Sequence, residues 1–204
     1  MNNKEEIYIV LSNNHTVVGR IVCLRQKLQF GWNDRGAKYS HASLTLDGKL
    51  HDMLSFARKK VSNPFVAGLV KENITSGLFA LKPKQSRITV ICLTVSREKY
   101  SKLKARMNEY WSKKDEYKYN TRVLIRILLR GRDKRRSENK KEFFCSQWVE
   151  YILRECGIDI FADEELYTVS PADFYHKLSD QIIYEGVTKE YSSHARSENA
   201  SHIL

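Results

Sequence analysis

The sequence predicts an α+β domain in which a small, mainly antiparallel sheet packs against helices. Polar and apolar residues alternate from Tyr39 to Leu46, as expected for a β-strand. A nearly continuous apolar run from Arg87 to Val95 is typical of a strand at the centre of a sheet. Apolar residues recur at helical spacing from Ser96 to Trp111 and again from Trp148 to Cys156. Together these patterns predict strands and helices that share one core.

The first third of the chain supplies the strands that lead to the predicted site. Ile7–Leu11 is a short apolar run that predicts a buried strand, and the rhythm of Thr16–Gln26 favours a helix. The alternating strand Tyr39–Leu46 ends at Asp47-Gly48, a dipeptide typical of a two-residue hairpin turn. A turn of that length makes Lys49–Phe56 the returning strand.

The remainder of the chain contains a basic segment, a short capped helix and a polar end. Arg122, Arg126 and Arg130 are spaced four apart on a predicted helix, within the basic segment 122–141. Ser170 and Pro171 are typical of a helix N-cap and first helical position. We expect one domain over 1–187 and a polar, disordered tail over 188–204.

Composition and charge limit the partners and the compartment. The 204 residues carry a formal charge of +11, which favours an anionic partner, such as an acidic protein, or an anionic membrane surface. The four cysteines have no metal-ligand pairing such as Cys-x-x-Cys, and three of them lie inside apolar segments, which indicates reduced thiols in a reducing compartment. The N-terminus is polar and no apolar run approaches the roughly 20 residues that span a bilayer. These features predict a cytoplasmic protein that needs no metal and no organic cofactor.

Cys145 is the residue that most favours a catalytic function. It falls in the first turn of the helix that contains Trp148, where free backbone N–H groups and the helix dipole favour a thiolate. The alternative is that Cys145 is a small buried apolar side chain.

A thiol nucleophile needs a base, and His41 is the candidate because it begins the alternating strand on its polar face. The alternative is a structural histidine. A two-residue turn at Asp47-Gly48 would place Asp52 on the face of His41 as its orienting partner. A turn longer by one residue would reverse the parity and favour His51.

The motifs Tyr39-Ser40-His41-Ala42-Ser43-Leu44 and Phe144-Cys145-Ser146-Gln147 resemble those of circularly permuted NlpC-type cysteine hydrolases. These belong to the papain-like superfamily and include YiiX-like and lecithin:retinol acyltransferase-like relatives. The order of histidine before cysteine is that of the permuted group. Gln147 stands where the family commonly has Glu. The resemblance implies a permuted papain-like fold, with Cys145 as nucleophile, His41 as base and a polar residue near Asp52 as orienter.

Three functions remain open at this stage. The first is a hydrolase that cleaves an amide or peptide bond through a thioester acyl-enzyme. The second is a lipid acyl hydrolase or acyltransferase that rests on an anionic membrane through the basic segment 122–130. The third is a basic nucleic-acid-binding protein without activity, which the sequence disfavours because it has no recognisable binding motif.

Overall fold

A six-stranded sheet forms the centre of the domain in the computed structural model, which describes residues 3–13, 16–60, 63–77, 79, 86–130, 141–162 and 168–191. Its strands are β1 (Lys4–Ser12), β2 (His41–Thr45), β3 (Met53–Lys60), β4 (Asn63–Glu72), β5 (Arg87–Ser96) and a C-terminal strand, β8 (Ile182–Val187). They lie in the order β4-β3-β2-β1-β5-β8, and every neighbouring pair is antiparallel. Two short strands, β6 (Lys118–Tyr119) and β7 (Glu142–Phe143), pair in parallel beside it. The predicted α+β class and the mainly antiparallel sheet are confirmed.

Four of the five long helices among the described residues begin after a residue whose side chain caps the first turn. The five helices are α1 (Val17–Phe30), α2 (Arg97–Ser112), α3 (Thr121–Arg130), α4 (Cys145–Glu155) and α5 (Pro171–Lys177). At the start of α1, the Thr16 hydroxyl accepts a hydrogen bond from the Gly19 N–H at 3.0 Å. At the start of α5, Ser170 and Asp173 form a reciprocal capping box.

Apolar clusters cover both faces of the sheet. Ile9 and Leu11 of β1 pack in one cluster with Trp148 of α4, whereas Val10 belongs to the other. Successive strand residues point to opposite faces, so the two clusters lie on opposite sides of the sheet. The first cluster fixes α4, and therefore Cys145, against the strands.

The connection between β2 and β3 differs from the predicted hairpin. Leu44 pairs with Leu54, not with the residue that a two-residue Asp47-Gly48 turn would place opposite it. The returning strand therefore begins at Met53, and the prediction of a strand over Lys49–Phe56 is wrong at its start.

Two contacts explain the wider turn. The Asp47 carboxylate accepts hydrogen bonds from the backbone N–H groups of Lys49 and His51, each at 2.9 Å. Leu50 adopts a left-handed backbone conformation with φ of 59° and is completely buried. That conformation costs about 1–2 kcal/mol, and burying a leucine side chain contributes about 1.5–3 kcal/mol. Burial of Leu50 thus outweighs the strain and favours the wider turn.

The packed domain extends past the expected boundary at residue 187. Thr188 and Tyr191 are buried, and the Tyr191 hydroxyl donates a hydrogen bond to the Gly48 carbonyl oxygen at 2.7 Å. The remaining tail, 192–204, and the basic run 131–140 lie outside the described residues. Within the described ranges, no helix is long and apolar enough to cross a membrane.

Candidate active site

Cys145 occupies the first position of α4, as predicted. Its side chain is buried, but it lines a cavity of about 570 Å³, so a small molecule in the cavity can reach the sulfur. The first turn of α4 is held by a residue outside the helix, because the Ser146 hydroxyl donates a hydrogen bond to the Val169 carbonyl oxygen at 2.7 Å. Phe144, the N-cap, provides no side-chain cap, and the Cys145 N–H has no backbone acceptor within α4.

His41 begins β2 and contacts Cys145 directly. The imidazole and the Cys145 side chain form a hydrogen bond, and backbone N–H groups of Ala42 and Ser146 donate to the same sulfur. The structure therefore brings together the two residues that the sequence predicts as nucleophile and base. The other side of the ring is also engaged: His41 Nε2 lies 3.0 Å from Glu72 Oε2 and 3.1 Å from Oε1. This arrangement leaves Nδ1 as the nitrogen that faces Cys145.

Glu72 is the third member of this hydrogen-bonded chain. It ends β4, two strands away from β2, so its carboxylate reaches His41 across β3. Ser43, one alternation along β2 from His41, donates a hydrogen bond to Glu72 Oε2 at 2.6 Å. The side chains of His41 and Glu72 are only 7% and 10% exposed, so solvent screens their attraction weakly.

The three groups shift each other's ionisation toward a charged state. Burial lowers the pKa of His41, but the Glu72 carboxylate and the Cys145 side chain together raise it to about 10. Burial raises the pKa of Cys145, but the hydrogen bond and charge of His41 outweigh burial and bring it below its ordinary value. Burial likewise raises the pKa of Glu72, and His41 and Ser43 lower it by more. All three shifts favour the charged forms of the groups, which are a thiolate, an imidazolium and a carboxylate.

Asp52, predicted as the orienting residue, does not lie beside His41. Its side chain is 63% exposed, and its carboxylate pairs with Lys71 at 3.0 Å. His51, the alternative, lies exposed in the turn between β2 and β3. Both predictions depend on a short hairpin, and the wide turn around buried Leu50 removes that condition.

Glu72 was missed because its position depends on pairing between strands that sequence periodicity does not reveal. One signal was present: Glu72 is the only Asp or Glu between Asp52 and Glu98. A histidine that needs a carboxylate from this half of the sheet has no other candidate in that stretch.

The cavity beside Cys145 is mainly apolar and lies between α1 and α3. Its apolar walls include Val18, Val22, Phe56, Leu124, Ile127 and Val169. Tyr119 also lines it. Burial, together with the nearby charge of Cys145, raises the pKa of the Tyr119 hydroxyl. A phenol that keeps its proton is a hydrogen-bond donor, so Tyr119 and the Cys145 N–H are the candidate donors for an oxygen that becomes negative here.

Arg25 and Arg58 also line the cavity, and no Asp or Glu appears among the described residues that line it. The described part of the chain contains no group of three His, Cys, Asp or Glu side chains arranged to hold a metal ion.

Comparisons of the chain with protein-family models, with curated proteins and with solved structures each found no match.

Proposed function

We propose that this chain is a cysteine hydrolase of the circularly permuted papain-like, NlpC-type class, acting through a thioester acyl-enzyme. The observation that carries the proposal is the continuous chain of hydrogen bonds from Glu72 through His41 to Cys145. Its sulfur end lies at a helix start and faces a cavity large enough for a substrate group. A buried cysteine with a purely structural role does not need a histidine beside it that is itself paired with a carboxylate.

The chain order supports the permuted class. A strand and a helix, β1 and α1, precede β2, which begins with His41, and the helix that begins with Cys145 follows about a hundred residues later. The same order of histidine strand before cysteine helix characterises the group that the two sequence motifs resemble.

The proposed reaction has two steps. Cys145 Sγ attacks the carbonyl carbon, and the carbonyl oxygen takes the electron pair while the Cys145 N–H and the Tyr119 hydroxyl stabilise its charge. The tetrahedral intermediate collapses, His41 gives its proton to the leaving nitrogen or oxygen, and a thioester to Cys145 remains. Neutral His41 then takes a proton from water as the water oxygen attacks the thioester. Collapse releases a carboxylic acid and restores the thiolate–imidazolium pair.

An amide or peptide bond is the first candidate for cleavage, on the resemblance of the two motifs. A lipid acyl ester is the second candidate, and it is favoured by a specific observation. The cavity walls next to Cys145 are largely aliphatic and aromatic, which suits a hydrocarbon acyl group better than a polar peptide side chain. For either bond, the acyl group of the thioester passes to water in a hydrolase and to a second substrate in an acyltransferase.

The test is covalent labelling with alkyne-bearing acyl probes of amide, ester and lipid-ester type, read by mass spectrometry of the peptide that contains Cys145. We expect one acyl adduct on Cys145, absent from Cys145→Ala, that disappears as water resolves the thioester. Labelling should be slower in Glu72→Gln than in the matched variant Asp52→Asn. The probe type that reacts fastest assigns the bond. Labelling of Cys23 or Cys156 with none at Cys145, for all three probes, would contradict the proposal.

A further inference from the structure

Exposed apolar side chains are concentrated on two helices that contact each other, α1 and α3, and on the turn after α1. Eight large apolar side chains are exposed among the described residues, and seven of them belong to α1, to the turn that follows it and to α3. Their exposed fractions range from 45% to 80%, and the residues are Val18, Ile21, Leu24, Leu28, Trp32, Ile125 and Leu129. Scattered exposed apolar residues are normal, but a concentration on one face marks an interaction surface. We name this set the α1–α3 face.

The charge of the two helices has one sign. Helix α1 contains Arg20, Arg25 and Lys27, and α3 contains three arginines. Neither helix contains an Asp or a Glu. Trp32 follows α1, and the Lys27 ammonium lies 5.9 Å from the centre of its ring. Tryptophan beside basic residues is typical of side chains that sit at a membrane–water boundary.

On α3, the apolar and basic residues are ordered around the helix. Leu124 and Ile127 face the cavity. Ile125 is exposed and lies three positions from exposed Arg122, and exposed Leu129 lies three positions from exposed Arg126. Residues three apart are neighbours on a helix surface, so an apolar strip runs directly beside a basic strip. This is the arrangement of a helix that lies in a membrane interface with its arginines at the level of the lipid headgroups.

We propose that the α1–α3 face docks on the surface of an anionic lipid bilayer. The uniform positive charge excludes the simplest alternative, a second copy of this chain on the same face, because a symmetric contact would oppose basic residues to basic residues. Nucleic acid would satisfy the charge but would leave the apolar side chains in water. An anionic bilayer satisfies both, since phosphates contact the arginines and the acyl region accepts the apolar side chains.

Docking would also position the cavity. Val18 belongs to the exposed set and to the cavity wall, and α1 and α3 both line the cavity that Cys145 also lines. The cavity therefore borders the docking face, and a membrane-borne molecule would reach Cys145 without crossing the solvent. This inference adds a location to the proposed function but is tested independently of it, because binding can be measured with the Cys145→Ala variant.

The experiment measures cosedimentation of the full chain with vesicles of phosphatidylcholine alone and of phosphatidylcholine with about one third phosphatidylserine. We expect binding to the anionic vesicles only, weaker at high salt because screening reduces the attraction. Each arginine near the surface contributes about fivefold in binding, so Arg122→Gln with Arg126→Gln should weaken binding by about 25-fold. The matched control is Lys99→Gln with Lys102→Gln, two exposed lysines of α2 that give the same loss of charge.

A second pair of variants tests the apolar part. Leu28→Ser with Leu129→Ser should weaken binding by at least about tenfold, because burial of two leucines is lost, whereas Ile183→Ser, an exposed residue of β8, should not. The Cys145→Ala variant should bind like the wild type. Absence of vesicle binding overturns the proposal, as does equal weakening in the lysine control. If vesicles are not bound, two other results would show what the α1–α3 face binds instead, and each overturns the proposal. Dimerisation that the leucine variants abolish would indicate a second copy of the chain. Nucleic-acid binding that the arginine variants abolish would indicate nucleic acid.

Discussion

Substitution of Glu72 by Gln is the most informative perturbation of the site, because it removes one charge and keeps the shape of the side chain. The carboxylate and the imidazolium are both nearly buried, with 3.0 Å between Nε2 and Oε2. With about 4 Å between charge centres and an effective dielectric constant of about 20, their attraction is about 4 kcal/mol. One pKa unit corresponds to about 1.36 kcal/mol, so the change should lower the pKa of His41 by up to about three units.

Loss of the imidazolium changes the state of Cys145. The pKa of Cys145 is depressed mainly by protonated His41, so a lower pKa at His41 raises the pKa of the thiol. The assay is the rate of alkylation by iodoacetamide between pH 5 and 10. In the wild type, the rate should reach its plateau well below the ordinary thiol pKa. In Glu72→Gln, the rise should move upward by one to about three pH units.

Asp52→Asn provides the matched control, since it also removes one carboxylate charge, from an exposed ion pair with Lys71. Its alkylation profile should coincide with that of the wild type. A profile that moves in Asp52→Asn and stays unchanged in Glu72→Gln would refute the assignment of Glu72 as the orienting residue.

The remaining predictions concern reactivity, charge stabilisation and stability. At pH 6.5, Cys145 should be alkylated faster than any other cysteine of the folded chain, and equal or slower labelling would contradict an activated thiolate. Tyr119→Phe should slow acylation of Cys145 by about 100-fold and leave its alkylation rate unchanged; an unchanged acylation rate would exclude the hydroxyl as an oxyanion donor. Ser170→Ala should lower the free energy of unfolding by about 1 kcal/mol, because its hydroxyl caps α5 together with Asp173. Ser179→Ala, which removes no helix cap, should change it by less in the same denaturant titration.

The parts of the site that depend on local pattern could be predicted from the sequence. The helix that begins at Cys145 follows from apolar spacing, and the strand that begins at His41 follows from alternation. Cys145 and His41 are each positioned by an element, α4 and β2, that the local sequence around that residue favours. Their contact joins two such elements, and it was predicted only because two separate motifs resemble one family.

The third residue could not be predicted in the same way. The turn after β2 depends on burial of Leu50 in a cluster that includes Phe79 and Tyr191, which are distant in sequence. Glu72 reaches His41 only because β3 and β4 pair in a particular register, with Met53 opposite Glu72. Asp-Gly is a strong local signal for a two-residue turn, and tertiary burial overrides it here.

The position of Glu72 at the margin of the sheet links reactivity to local opening of the fold. Glu72 is the last residue of β4, the outermost strand on its side, and it lies at the end of the β3–β4 pair that is remote from their connection. Strand ends at a sheet margin separate more often than central strands, without unfolding of the whole domain. A separation there would withdraw the carboxylate, so the pKa of His41 would fall and that of the Cys145 thiol would rise. We expect amide hydrogen exchange at the end of β4 to measure how often the Glu72 carboxylate separates from His41 in this way.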